Sequence, residues 1–230
     1  RHRLDRYLVV EFDSSPALDG AIEALNEAFL GDGIIEWAAA DPEGGIASVP
    51  NDPSFGLQYA LRNIGQTVNG QVGTPGSDMS LVDAWTWTTG SPDLRVAVLD
   101  AGVDQHVEFA DRLQPGWNIP DNNDNIADQC GSHGTIVSGI IGARGNNGVG
   151  VAGVAWNVEL MPVVVLEGCT GFESWVAEGI YWAVEHDADI INYSLQYSVG
   201  TVAFQDAVAF AHASGVLQCA AAGNTGAPDD

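Results

Sequence analysis

Lysine is absent from all 230 residues; the seven basic side chains are arginines, set against 31 Asp and Glu, for a formal net charge of −24. A surface of that sign repels phosphate backbones and argues against nucleic acid as a partner. It suits calcium, saline surroundings or plain solubility, and charge alone does not separate the three. No apolar run approaches the roughly 18 residues of a membrane-spanning helix, so no span is expected. Cysteine is scarce, at Cys130, Cys169 and Cys219. The odd count argues against a full disulfide framework, and without a Cys-x-x-Cys pair zinc is not implied. Cys219 lies in the apolar run 216–220 and is predicted to be a buried thiol. Cys130 and Cys169 each flank a Gly-rich loop; export would allow them to pair, and the sequence leaves bonded and free states open. The chain opens on Arg1 without a signal-peptide pattern, which reads as processed, trimmed or part of a longer chain.

What is present points to one substantial core with room for a small appendage, since 46% of the residues are hydrophobic. Residues 7–48 read as a small α/β unit: a strand at Tyr7 to Phe12, a helix from Ala17 to Leu30 with Ile22, Leu25, Phe29 and Leu30 at helical spacing, a stop at Gly31-Asp32-Gly33, and a second strand at Ile34 to Trp37. Residues 49–60, with two prolines and several turn formers, read as a linker or extended arm. Residues 61–90 are loop-rich, with a short helix around Leu81 to Trp87. From Arg95 onward strand and helix alternate, with strands predicted at 95–100, 158–166, 188–194 and 215–222 and helices at 133–143, 173–186 and 201–214. The strands are continuous apolar runs, which implies burial on both faces. The fold class is therefore α/β, a doubly wound and mostly parallel sheet. Sites in such sheets form beyond the carboxyl ends of the strands.

Three residues stand at such ends. Asp100 closes the run Val96-Ala97-Val98-Leu99, His133 opens Ser132-His133-Gly134-Thr135, and Asn224 ends Ala220-Ala221-Ala222-Gly223-Asn224. Peptide hydrolysis by a serine needs a base, an acid that orients the base, and donors for the developing oxyanion. His133 is placed to be the base, with Gly134 and Thr135 permitting close approach of a substrate; a helix-cap histidine is its other reading. Asp100 is either the orienting acid or the cap of the turn Ala101-Gly102-Val103-Asp104. Asn224 is either an oxyanion donor or a turn-forming amide.

These blocks, in the order Asp then His then Asn, resemble those of the subtilisin-like serine proteases, the subtilases: Asp100-Ala101-Gly102-Val103-Asp104, His133-Gly134-Thr135-Ile136-Val137-Ser138-Gly139 and Ala222-Gly223-Asn224. The resemblance runs from about Asn51 to Asn224. It implies that Ile190-Ile191-Asn192-Tyr193-Ser194-Leu195 is the substrate-binding strand, with Ser194, Leu195 and Gln196 touching the substrate backbone as an added β-strand. It implies a calcium loop at Gly145 to Val151, with Asn147 giving its side-chain oxygen, Val149 and Val151 their carbonyls, and Asp52 and Glu108 their carboxylates; a plain Gly/Asn turn is the competing reading. A second acidic group, Asp121, Asp124 and Asp128, reads as a solvated loop ahead of another calcium site. Residues 1–48 resemble a propeptide remnant that folds against the enzyme and inhibits it, 49–94 the linker or N-terminal arm of the catalytic domain, and 95–230 the N-terminal part of that domain.

The chain also departs from the family pattern. Ile136 stands where the family often has His, Gln196 where it has Gly, and Val107 where Pro is usual. The nucleophile block Gly-Thr-Ser-Met-Ala is missing, no Gly-x-Ser-x-Gly replaces it, and the chain stops six residues after Asn224. The expectation is a fragment of a secreted serine endopeptidase that is inactive alone, its sheet incomplete at the C-terminal side; the alternative is a non-catalytic pseudoprotease or binding module. Polypeptide substrate and the protein's own propeptide are the implied partners, and no organic cofactor is implied. Gly148-Val149-Gly150-Val151-Ala152-Gly153 fits a dinucleotide fingerprint, but it follows a predicted helix and precedes a strand, the reverse of what that motif needs.

Overall fold

The computed structural model describes residues 49–197 and 200–224, which belong to one compact unit beginning at Ala47. The strand–helix–strand reading of 7–48 lies outside the described residues. A two-residue Asn69-Gly70 turn with positive φ at both positions joins β1 (Thr67–Val68) and β2 (Gln71–Val72) into an antiparallel hairpin. That dipeptide is a strong hairpin signal, passed over in a stretch read only as loop-rich.

The main sheet has the order β4-β5-β3-β6-β7 and is parallel throughout. Its strands are β3 (Arg95–Asp100), β4 (Trp117–Asn118), β5 (Glu159–Val164), β6 (Ile190–Tyr193) and β7 (Leu217–Ala220). The helices are the single turn α1 (Leu81–Ala84), then α2 (His133–Gly142), α3 (Glu173–Glu185) and α4 (Val202–Ala213). The doubly wound α/β expectation is met, and β4 is the one strand of this sheet the apolar runs did not signal, being two residues long.

The uninterrupted apolar run of β3 has a direct explanation in the packing. Val96 and Val98 join Leu160, with Val137 and Ile141 of α2, on one face. Ala97 and Leu99 join Met161 and Val163, with Val176 and Ile180 of α3 and Ala207 and Ala211 of α4, on the other. With both faces covered, alternation has no reason to appear. Each fully buried Val, Leu or Ile here contributes about 1.5–3 kcal/mol.

One expectation is corrected. Cys219 is exposed. It sits on β7, which pairs only with β6 among the described residues, and whose other side-chain direction is the covered one: Gln218 donates to the Val208 carbonyl of α4 at 2.9 Å. An apolar neighbourhood in sequence therefore did not mean an apolar neighbourhood in space. Residues 49–60, for which linker and extended arm were both open, pack against the 145–152 region. Asp52 and Phe55 are buried, and Gln58 donates to the Ala152 carbonyl at 2.7 Å while accepting the Ala152 amide at 2.9 Å.

Candidate active site

β3 delivers Asp100 to the carboxyl edge of the sheet, fully buried. Its Oδ1 accepts the Ala101 amide at 2.8 Å, and both carboxylate oxygens lie 2.9 Å from His133 Nδ1. Asp100 thus contacts both the amide of its own turn and the histidine ring. His133 is the first residue of α2 and turns its ring to Asp100, not back onto the helix end. An Nδ1–H given to the carboxylate leaves Nε2 as the free lone pair of the neutral ring. The side chain of His133 is about half exposed.

Gly134 has a steric reason of its own within the fold. A Cβ there would stand 2.1 Å from the Gly102 carbonyl oxygen and 2.9 Å from Asp100 Cβ. The close approach seen here is between the start of the helix and the end of the strand. Thr135 likewise serves the scaffold: its amide and hydroxyl donate to Asp128 Oδ2 at 2.9 and 3.0 Å. Asp128 Oδ1 accepts the Cys130 amide at 2.9 Å. One carboxylate therefore grips the chain on both sides of His133, across the left-handed residues Gly131 (φ 59°) and Ser132 (φ 68°). Asp128 does not converge with Asp121 and Asp124 on a metal: among the described residues no three His, Cys, Asp or Glu side chains do. Asp121 instead accepts from Asn118 Nδ2 at 3.3 Å.

His133 lines a cleft of about 300 Å³ together with Ser194, Leu195 and Gln196, the three residues expected to touch substrate. Ser194 follows β6 directly, and its hydroxyl accepts from Asn192 Nδ2 at 3.0 Å. The opposite wall is the segment Leu166 to Gly171, joined to the His133 side by a disulfide between Cys130 and Cys169. The structure thus selects the bonded state that the sequence left open. Thr170 and Tyr197 also line the cleft and were not anticipated, because both come from irregular segments without periodicity. Tyr197 Oη is buried and has no hydrogen-bond partner among the described residues; burial, then the nearby Glu173 carboxylate, pushes its phenol up. Asn224 is exposed, four residues beyond β7, and is not part of the cleft lining.

The expected calcium residues gather at the far end of α2. Asp52 and Glu108 are 4% and 2% exposed, and neither carboxylate forms an ion pair among the described residues. Asp52 accepts the Asn146 amide at 2.7 Å, while Glu108 accepts Asn147 Nδ2 at 3.0 Å and the Val151 amide at 2.9 Å. Asn147 Oδ1 accepts the Val149 amide at 2.7 Å. Val149 and Val151 are thus held through their amides, which leaves their carbonyls available. Two buried carboxylates with further oxygen donors around them fit a hard cation, since each carboxylate offers more lone pairs than these bonds use. The Gly-rich run 148–153 lies between α2 and β5, as the order of elements predicted, and the nucleotide reading has no strand to stand on.

Residues 91–230 match the model of the subtilase family. The chain is 32% identical over 211 residues to a thermophilic serine proteinase of Bacillus sp. (strain AK1), covering 90% of this chain and 48% of that one. It is 34% identical over 181 residues to thermitase of Thermoactinomyces vulgaris, covering 77% and 58%. A solved protease of Pseudoalteromonas arctica superposes with a TM-score of 0.66 at 30% identity, over 77% of this chain and 60% of that one. The chain spans about half to three fifths of the length of these relatives. Motif order, parallel topology and family match agree, and the chain belongs to the subtilase family.

Proposed function

We propose that this chain carries the acid, base and oxyanion parts of a secreted serine endopeptidase that cleaves polypeptides through an acyl-enzyme. The observation that supports it most is the contact of buried Asp100 with His133 Nδ1 at 2.9 Å, at the lip of the cleft. In this reading a serine supplied beyond residue 230 attacks the scissile carbonyl carbon, and His133 Nε2 takes its hydroxyl proton. Asp100 holds the imidazole in its tautomer and stabilises the imidazolium, and the Asn224 amide donates to the oxyanion. His133 then passes the proton to the departing amine, which leaves as the acyl-enzyme forms; water repeats the sequence to release the acid. Ser194, Leu195 and Gln196 pair with the substrate backbone. Without the nucleophile this chain alone is inactive.

Residues 1–48 act as the propeptide remnant, 49–94 as the arm and 95–230 as the catalytic part. Asp52, Glu108, Asn147, Val149 and Val151 hold a calcium ion whose charge offsets the two buried carboxylates. The Cys130–Cys169 bond supports an oxidising compartment and hence export.

The coding sequence downstream of Asp230 and fluorophosphonate labelling of the complete product test this. Labelling that His133→Ala abolishes is the expected result. A product that resists the reagent leaves the second reading, a binding module, which Gln196 in the cleft lining favours.

A further inference from the structure

The two walls of the cleft are held in different ways. The wall that carries His133 is fastened to the end of β3: the Val103 amide donates to the Ile126 carbonyl at 2.7 Å, and the Gln129 amide to the Ala101 carbonyl at 3.0 Å. Asp128 adds its grip on the amides of Cys130 and Thr135. The facing wall contains the turn Glu167 to Thr170, closed on itself by the Glu167 amide on the Thr170 carbonyl at 2.8 Å. Glu167, Cys169 and Thr170 are exposed. The turn reaches the His133 wall through the Gly168 amide and Gln129 Oε1 at 3.5 Å, beyond the usual range of a hydrogen bond, and through the Cys130–Cys169 disulfide. The covalent bond is therefore the strong tie between the walls, and both of its residues line the cleft beside His133.

That bond is open to attack from one side. Cys130 is half-buried against the core, whereas Cys169 is exposed. A solvent thiolate attacks Cys169 Sγ, the S–S bond breaks, and Cys130 leaves as a thiolate that takes a proton from water. The second thiol of a dithiol reductant then displaces Cys169 from the mixed disulfide. Two electrons have moved, leaving the reductant as a disulfide and the protein as a dithiol. The contacts of His133 with Asp100, and of Thr135 with Asp128, do not run through either sulfur and survive the step.

We propose that this disulfide is a redox switch on substrate binding. Closed, it holds the turn in place as a cleft wall; reduced, it leaves the base positioned and the wall slack. The cleft is then weak in a reducing compartment and is completed by oxidation after export. This rests on the proteolytic reading above and adds its regulation.

The test uses the complete protein carrying Cys219→Ser, so that the exposed third thiol takes no part in exchange. Kinetics on a neutral fluorogenic peptide are measured in excess dithiothreitol and again after reoxidation, with the state of Cys130 and Cys169 read by alkylation and peptide mass. On reduction KM rises about tenfold, as for a cleft whose binding-competent form falls to about a tenth of the population. Reduction leaves kcat and the rate of fluorophosphonate labelling nearly unchanged, the mark of an interaction spent on binding alone. Reoxidation restores KM, and a Cys130→Ser/Cys169→Ser variant shows the high KM in both conditions. A KM unmoved with both thiols alkylated, or a bond that the dithiol does not open, overturns the proposal. So does a loss of kcat and labelling together with binding, which would make the bond a general staple of the fold. Each of these leaves proteolysis standing. If the oxidised protein neither cuts the peptide nor takes up fluorophosphonate, the proteolytic reading fails and this inference with it.

Discussion

The two ends of the parallel sheet differ in where the arginines lie. At the amino end Arg95, Arg112 and Arg144 each find a carboxylate or carbonyl, and the loop after α2 closes over Asp52 and Glu108. At the carboxyl end the acids stand without arginines, the backbone passes through two successive left-handed residues, and the buried Tyr197 hydroxyl lacks a partner. Unsatisfied buried atoms occur at both ends, Arg95 Nε and Arg112 Nε at one and Tyr197 Oη at the other, and so do left-handed non-glycine residues, Asn146 and Asp187 against Asn122 and Ser132; what differs is the arginine pairing. Here the division falls along the strand direction, because strand ends and helix starts converge at one edge only.

The largest expected effect tests whether the cleft end is catalytic at all. Asp100→Asn keeps the shape but replaces the acceptor for Nδ1–H with a group that can face His133 with its NH₂, favouring the wrong tautomer. In the complete protein kcat falls by about 10⁴-fold with little change in KM. Steady-state kinetics on a neutral peptide measure it. A loss below about tenfold would show that the carboxylate serves the Ala101 turn more than the histidine.

Next in size is the bond that ties the two cleft walls together. Cys130 and Cys169 are 39 residues apart, and the chain-entropy estimate for such a loop is about 4 kcal/mol. The Cys130→Ser/Cys169→Ser variant, made in the inert His133→Ala background to prevent self-digestion, should melt roughly 10 °C lower. Calorimetry reads this directly. A shift of a degree or two would mean that Asp128 and the packing of α2 already hold the walls, with the disulfide adding little.

The third prediction moves to the opposite end. Asp52→Ala strands the Asn146 amide beside an empty acceptor site and should destabilise the protein by about 1–3 kcal/mol. It should also remove the melting increment that calcium gives. With the ion at about 100 times its dissociation constant that increment amounts to about 2.7 kcal/mol. An identical calcium response in variant and parent would place the ion elsewhere, and would leave Asp52 as a clasp for the 145–151 loop.

How far the sequence reached follows the same division. The scaffold was legible because strands buried on both faces print themselves as apolar runs, and Val96 to Leu99 had no other way to pack. Asp100 and His133 were legible as local motifs at element ends. What escaped was long-range. Cys219 looked buried among apolar neighbours, yet exposure is decided by which strands and helices lie alongside. Asp128 looked like one more acid in a solvated loop, although an acid two residues before Cys130 is an Asx-turn signal that would have separated it. Thr170 and Tyr197 meet in the cleft only because the sheet brings two irregular segments together.

The smallest effect bears on the arginine end itself, and it discriminates between burial and mere pairing. Arg144 and Asp111 form an ion pair with side chains 44% and 62% exposed, so solvent already screens most of their attraction. Arg144→Gln should therefore cost about 0–1 kcal/mol, and added salt should erase even that. Arg112, whose side chain is only 9% exposed, offers the contrast. Its guanidinium fixes two carbonyls, and burial lowers its affinity for its proton, so it is retained against a desolvation penalty. Arg112→Met should cost more than Arg144→Gln, about 1–3 kcal/mol, because the carbonyls of Val158 and Glu108 lose their donor in the interior. Denaturant melts of both variants in the His133→Ala background give the ordering. If the exposed pair proved the more costly, charge balance and not buried hydrogen bonding would be what secures that end of the sheet, and its contrast with the arginine-free cleft end would become one of electrostatics alone.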